Sequence, residues 1–363
     1  MVKLIFVGGF LGAGKTTALS ILAEKFLSSG ITTSIITNDQ TEDLVDTEVI
    51  KNKLSERGAL VEQITEGCFC CQFNLLINKI NYILNKKNPK VILGEPVGSC
   101  TDFIASVVNP IKKYYGDRFQ IAPFTVLIEP NRLDTFLKDK SLFPEEVIYI
   151  FNKQLEEADV IALNKIDTLN ENQITNFISY LKTEYPGKSV IAISAKQDKG
   201  IKNWINILFN VSNSRALQDI DYDKYAKGEA KLGWLNGVFK INSNMKKSIY
   251  KFSMDLLNDI KSKFLNIKVE IGHLKFIISV GNKLLQGNLT SLSSDPELNG
   301  DDIKDVSEWI LIINIRANTD PQNLKKITIS TIEEICDIQE TEYKILKLKY
   351  LSPSYPNPPY ILR

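Results

Sequence analysis

At 363 residues the chain is long enough for two domains, each able to bury a core without disulfide or metal support. Its 44% hydrophobic and 24% charged residues exclude a disordered or fibrous protein, and 44 basic against 43 acidic residues, net +1, exclude a general nucleic-acid binder. The apolar start Met1–Val7 breaks at Gly8 and Gly9 with no small-residue cleavage site. No later stretch approaches the roughly 18 apolar residues of a membrane helix, so a cytoplasmic protein with no membrane partner is expected.

Up to about residue 210, short β-branched runs alternate with amphipathic stretches. Lys3–Val7, Thr33–Thr37, Val91–Leu93, Phe124–Ile128, Val160–Leu163 and Ser189–Ile193 read as strands covered on both faces, with helical segments such as Thr16–Leu27 and Ile174–Lys182 between them. This predicts an α/β fold: a doubly wound, mostly parallel sheet over residues 1–212. Residues 213–232 are polar and read as a linker. Over 233–350, strand-like runs at Leu235–Ile241, Leu274–Val280, Leu284–Thr290 and Trp309–Ala317 join helix-like runs at Met245–Phe264 and Asn323–Glu340, predicting a smaller α+β domain. The tail 351–363, with Pro353, Pro356, Pro358 and Pro359, is expected to be extended and solvated.

Directly after the first strand comes Gly9-Phe-Leu-Gly12-Ala13-Gly14-Lys15-Thr16-Thr17, a phosphate-binding loop opening a helix. Its glycines let backbone N–H groups converge on phosphate, Lys15 would reach the β- and γ-phosphates, and the Thr16 hydroxyl would ligate Mg²⁺. Glu95 ends the apolar strand Val91–Leu93 and is placed to hold the Mg²⁺ shell, with Gly98 three residues on to sense the γ-phosphate. Asn164-Lys165-Ile166-Asp167 follows another strand. The Asp167 carboxylate can accept guanine's two adjacent donors, the Lys165 stem can cover the base, and Asn164 can tie the segment to the phosphate loop. Ser194-Ala195-Lys196 follows the last strand, where the Ala195 N–H could meet the guanine oxygen. Together these favour GTP/GDP over ATP.

The five cysteines are Cys68, Cys70, Cys71, Cys100 and Cys336, an odd, clustered set that reads as thiols for metal or redox work. Cys68-Phe69-Cys70-Cys71 is a soft-ligand cluster suited to Zn²⁺ or Cu(I). An extended backbone puts Cys68 and Cys70 on one face and Cys71 on the other. Either the chain turns after Gly67 and all three bind one ion, or two bind together with an outside ligand such as Asp39, Glu42 or Cys100. Cys336, alone in a helical run, reads as core, and His273, the one histidine, as packed or hydrogen-bonded.

Gly9–Thr17, Cys68–Cys71, Glu95–Gly98 and Asn164–Asp167 together resemble the CobW-type GTPases, P-loop proteins of the SIMIBI class, over roughly residues 1–200. The resemblance implies a Mg²⁺-dependent GTP hydrolase that couples nucleotide state to delivery of zinc or cobalt, or to activation of a client metalloenzyme or cobalamin-linked protein; since no water-positioning Gln or arginine finger can be picked out of the sequence, hydrolysis is expected to be slow and partner-stimulated. It implies metal at the thiols, and places Asp39, after Asn38, where many relatives carry a metal-binding Glu. It leaves the chain as monomer or homodimer. Two rivals stand beside it: an ATP-using P-loop kinase of small molecules with packed cysteines, and a non-catalytic scaffold with structural zinc.

Overall fold

The structure is a computed structural model; it describes residues 1–38, 50, 54, 57–65, 67–137, 142–211 and 218–363. The first sheet contains, among these residues, β1 (Val2–Gly9), β2 (Thr33–Asn38), β3 (Leu60–Ile64), β4 (Val91–Glu95), β5 (Phe119–Ile121), β6 (Thr125–Ile128), β7 (Val160–Leu163) and β8 (Ser189–Ala192). Their order is β3-β2-β4-β1-β6-β7-β8, with β5 beside β1, and every pairing is parallel. Along β1, Leu4 and Phe6 enter one core while Ile5 and Val7 enter another on the opposite face. A period of two with both faces buried explains why this strand reads as a continuous apolar run. The predicted strands are all present, Val160–Leu163 with the same bounds and the others extended or trimmed by a few residues, and β3 and β5 are added to them.

The second sheet is antiparallel, in the order β12-β11-β10-β13-β9-β14. It comprises β9 (Gly233–Lys247), β10 (Ile271–Val280), β11 (Lys283–Leu289), β12 (Glu297–Gly300), β13 (Val306–Ala317) and β14 (Thr341–Leu351), with helices Ile249–Asn266 and Pro321–Ile338. Phe252, Leu256 and Ile260 of the first helix and Leu324, Ile332 and Ile335 of the second close its core over Phe239, Phe276 and Ile313. Cys336 is buried there. No helix among the described residues is long and apolar enough to cross a membrane.

Two expectations are corrected. The segment read as a linker contains a helix, Tyr222–Ala230, packed on the first domain: Tyr225 and Glu229 are buried, and a Cβ on Gly228 would strike the Glu146 carbonyl at 2.4 Å. Its polar composition hid a two-residue apolar face; residues 212–217 lie outside the described chain. The tail is extended but docked rather than solvated. Leu362 donates its N–H to Ala105 O at 2.8 Å and accepts from Asn109 Nδ2 at 2.8 Å, Arg363 pairs with Asp102, and the Tyr360 ring meets Phe73 edge-on at 5.1 Å.

Glu157, at the end of helix Glu145–Glu157, is buried and accepts the N–H groups of Phe103 at 2.6 Å and Ile104 at 3.2 Å, capping the π-helical turn Ile104–Val108. Burial outweighs these bonds and pushes its carboxyl up to about 8. Between an ordinary carboxylate value near 4.5 and about 8, the folded chain keeps a proton that the unfolded chain releases. Stability therefore falls as pH rises through that window, by at most about 1.4 kcal/mol per pH unit for this group. Glu157→Gln, which mimics the protonated form, is expected to flatten that fall in thermal melts from pH 5 to 9, with the gain confined to the alkaline side. Parallel curves for the two proteins would refute the assignment.

Candidate nucleotide and thiol sites

The carboxyl ends of β1, β4 and β7 bring three loops to one edge of the parallel sheet, the usual ligand position in an open α/β fold. The phosphate loop leads from β1 into helix α1 (Lys15–Ser28), whose N-cap Gly14 takes a left-handed φ of 88°. A side chain there would also meet Asn164 Nδ2 at 2.5 Å, so glycine is required twice over. Lys15 is buried and donates to the carbonyls of Gly9 at 2.8 Å and Phe10 at 3.3 Å. Thr16 Oγ1 donates to Glu95 Oε1 at 3.0 Å, and both residues are buried. A hydroxyl and a carboxylate side by side at a phosphate loop are a hard-oxygen donor pair of the kind Mg²⁺ takes. Thr17 is exposed and Ala13 is buried. Gly98 closes on this group: a Cβ there would come to 3.2 Å from Lys15 Nζ.

Asn164 ties the loops together. Its Nδ2 donates to Ala13 O at 2.9 Å and its Oδ1 accepts the Ala195 N–H at 3.1 Å. The N–H expected to face guanine is thus engaged with Asn164. Asp167 is half-buried and accepts from Ser194 Oγ, which in turn accepts the Gln197 N–H at 3.1 Å. Lys165, with φ 60°, directs its ammonium to Glu129 Oε1 at 2.9 Å and to Thr290 Oγ1 at 3.4 Å. Lys196 is exposed and pairs with Glu297 at 3.4 Å.

At the thiols the chain turns: Gln72 N–H donates to Cys68 O at 2.9 Å. The sulfurs of Cys68, Cys70 and Cys100, all buried, lie within 4.8 Å of one another. Tetrahedral zinc thiolates sit about 3.8 Å apart, given Zn–S bonds of about 2.3 Å, so contraction by at most about 1 Å makes this trio a ligand set. Cys71 stands outside the trio. Its N–H donates to Cys68 Sγ at 3.4 Å, and its own sulfur accepts the Asn357 N–H of the tail at 3.3 Å. Asp39 and Glu42 lie outside the described residues. Hydrogen bonds from Cys100 and Cys68 bring the Cys70 thiol down to about 6 against the effect of burial, while contact with Cys68 and Cys70 pushes Cys100 well up.

The nucleotide-binding domain of the CobW/HypB/UreG family matches residues 3–192. The chain belongs to that family. Three relatives each align with about half of the chain. The zinc chaperone YeiR of Escherichia coli (strain K12) is 29% identical over 171 residues, covering 46% of this chain and 47% of YeiR. The zinc-regulated GTPase metalloprotein activator 1 of Dictyostelium discoideum is 23% identical over 202 residues, covering 48% and 42%. The zinc chaperone CobW of Pseudomonas aeruginosa is 26% identical over 208 residues, covering 50% and 53%. The chain spans about half the length of the curated relatives it matches.

Several residues at these sites escaped the sequence reading. Asn38 anchors the thiol loop to β2: it donates to Gly67 O at 2.6 Å and Ile64 O at 3.1 Å, and accepts the Phe69 N–H at 2.7 Å. Gln154 Nε2 donates to both Gly98 O and Cys100 O at 2.9 Å, clamping the loop between the two sites. Glu129, just beyond β6, is buried against Lys165. A strand-end Asn or Glu is a weak local signal, and helix-borne Gln154 gives none.

Proposed function

We propose that this chain is a Mg²⁺-dependent GTP hydrolase that couples nucleotide state to the holding and release of zinc for a client protein. The observation that carries the reading is a single six-residue loop. Glu95 touches the Mg²⁺-type hydroxyl of Thr16, Gly98 lies beside the Lys15 ammonium with no room for a side chain, and Cys100 joins Cys68 and Cys70. A shift of that loop on binding a terminal phosphate alters the spacing of the sulfurs. Gly9, Gly12, Ala13, Gly14, Lys15, Thr16 and Thr17 would hold the phosphates, Thr16 and Glu95 the Mg²⁺, and Asn164, Lys165, Asp167, Ser194, Ala195 and Lys196 the guanine side. Cys68, Cys70 and Cys100 would hold the zinc, which is cargo. The relatives' names support zinc as the metal and a metalloprotein as the kind of client; cobalt has no such support.

Zinc affinity, measured by competition with a chromophoric chelator, is expected to differ between GTP-analogue and GDP states by about 5- to 150-fold, and zinc must shift GTP affinity by the same factor. Equal affinities in both states would leave a static zinc scaffold. Base choice has its own check. Asp167→Ala is expected to weaken GTP binding by roughly 1–3 kcal/mol in calorimetry while leaving ATP binding unchanged. Equal ATP and GTP affinities in the unmutated chain would instead favour the kinase reading.

A further inference from the structure

The face of the second sheet opposite its helices is turned to the phosphate loop. Along β9, β10 and β13, Leu235, Leu274 and Ile315 point into the second core. Their neighbours form two cross-strand rows on the other face, Trp234 with Arg316 and His273, then Asn236 with Asn314 and Lys275. An antiparallel sheet ordinarily leaves such a face to water. Here Trp234, Asn236, Asn314 and Arg316 are at most 5% exposed.

The cover is the first domain's phosphate loop. A Cβ on Gly272 would meet Leu11 at 2.6 Å, and one on Gly12 would meet the Thr290 side chain at 3.1 Å and Gly272 O at 3.3 Å. Arg132 fastens the junction, donating to the carbonyls of Ile271 at 3.0 Å and Gly272 at 3.2 Å and pairing with Glu270 at 3.6 Å. At the junction lies a cavity of about 30 Å³, room for a water or two. Lys15, Glu95 and Gly98 wall it from one side, His273, Lys275 and Arg316 from the other.

The three second-domain groups differ in what they can offer an anion. Arg316 is committed to its own sheet, donating to Leu235 O at 3.0 Å and Asn236 Oδ1 at 2.6 Å with its guanidinium over Trp234 at 4.0 Å. His273 is held neutral, first by burial and then by the cations Lys275, Arg316, Lys15 and Arg132. Lys275 is half-buried and lines this cavity on the long stem of a lysine. We propose that Lys275 is a second-domain cation for the terminal phosphate of the bound nucleotide, closing over it opposite Lys15. The proposal rests on the GTPase reading above and adds a second cation to Lys15 at the terminal phosphate. A phosphoryl group does not fit the present cavity, so its entry also moves β10 relative to the phosphate loop.

The test uses the full chain. Calorimetry with a non-hydrolysable GTP analogue and with GDP is run on the unmutated protein, Lys275→Met and Lys275→Arg, with Mg²⁺-dependent turnover alongside. Lys275→Met is expected to lose about tenfold in triphosphate affinity, the worth of one charge-assisted hydrogen bond. Its GDP affinity stays within twofold, its turnover falls, and Lys275→Arg recovers most of both. An unchanged ratio of triphosphate to diphosphate affinity in Lys275→Met overturns this proposal alone. An unmutated chain that binds neither nucleotide overturns the GTPase reading, and this proposal with it.

Discussion

Lys15→Ala is expected to lose GTP hydrolysis by a factor on the order of 10² to 10³, the usual cost of removing one preorganised charge from a developing anion. The ammonium is already in place, buried beside Gly98 and held by the carbonyls of Gly9 and Phe10 at the start of α1. Little reorganisation is then needed when negative charge builds between the β- and γ-phosphates. The substitution also removes a donor from the Gly9 and Phe10 carbonyls, the second of which keeps the Ala13 N–H at 3.2 Å, so single-turnover phosphate release should be compared at a temperature well below both melting points. A variant retaining most of its Mg²⁺-dependent turnover would mean that the phosphate loop serves binding alone.

The second large effect concerns the thiols and separates two ligand sets. The Cys70→Ser, Cys100→Ser double variant is expected to lose zinc affinity by roughly 10³-fold or more, because thiolate bonds carry most of the affinity of such sites. Cys71→Ser is expected to stay within a few-fold, since that sulfur lies outside the set of three and accepts the Asn357 N–H of the tail. Chelator competition on the three proteins decides it. If Cys71→Ser loses as much as the double variant, the ligand set is the contiguous C-x-C-C and Cys100 is packing.

The difference between those ligand sets marks where sequence reasoning stops. The phosphate loop, the strand before it and Asn164–Asp167 are contiguous, and their chemistry is local, so residue order alone conveys them. Which sulfur joins Cys68 and Cys70 depends on where β4 delivers a loop thirty residues later, and only tertiary structure fixes that. Short or polar edge strands were equally hidden. Phe119–Ile121 has three residues, Glu297–Gly300 has no apolar run, and β14 carries Lys344, Lys347 and Lys349, the residues with which an edge strand discourages further pairing. The helix Tyr222–Ala230 buries only Tyr225, Gly228 and Glu229, too faint an apolar period to detect. Lys275 sits in an ordinary alternating strand, and nothing local distinguishes a polar face turned to water from one turned to a phosphate loop.

The docked tail changes the mechanics of the molecule. The second sheet is entered from Leu232, which is buried in the first domain's core, and left through Leu351, after which the chain returns to Ala105 and Asp102. A body on one string drifts through a volume; a body pinned at both ends keeps chiefly the freedom to turn about the line joining its pins. A two-point tether of this kind holds the two domains at a high effective concentration for each other. One of those pins passes beside the cysteine cluster at Asn357. A swing that strains the tail is thus felt at Cys71, and releasing the last residues from Ala105 would free the second domain at one side and uncover a thiol in the same event.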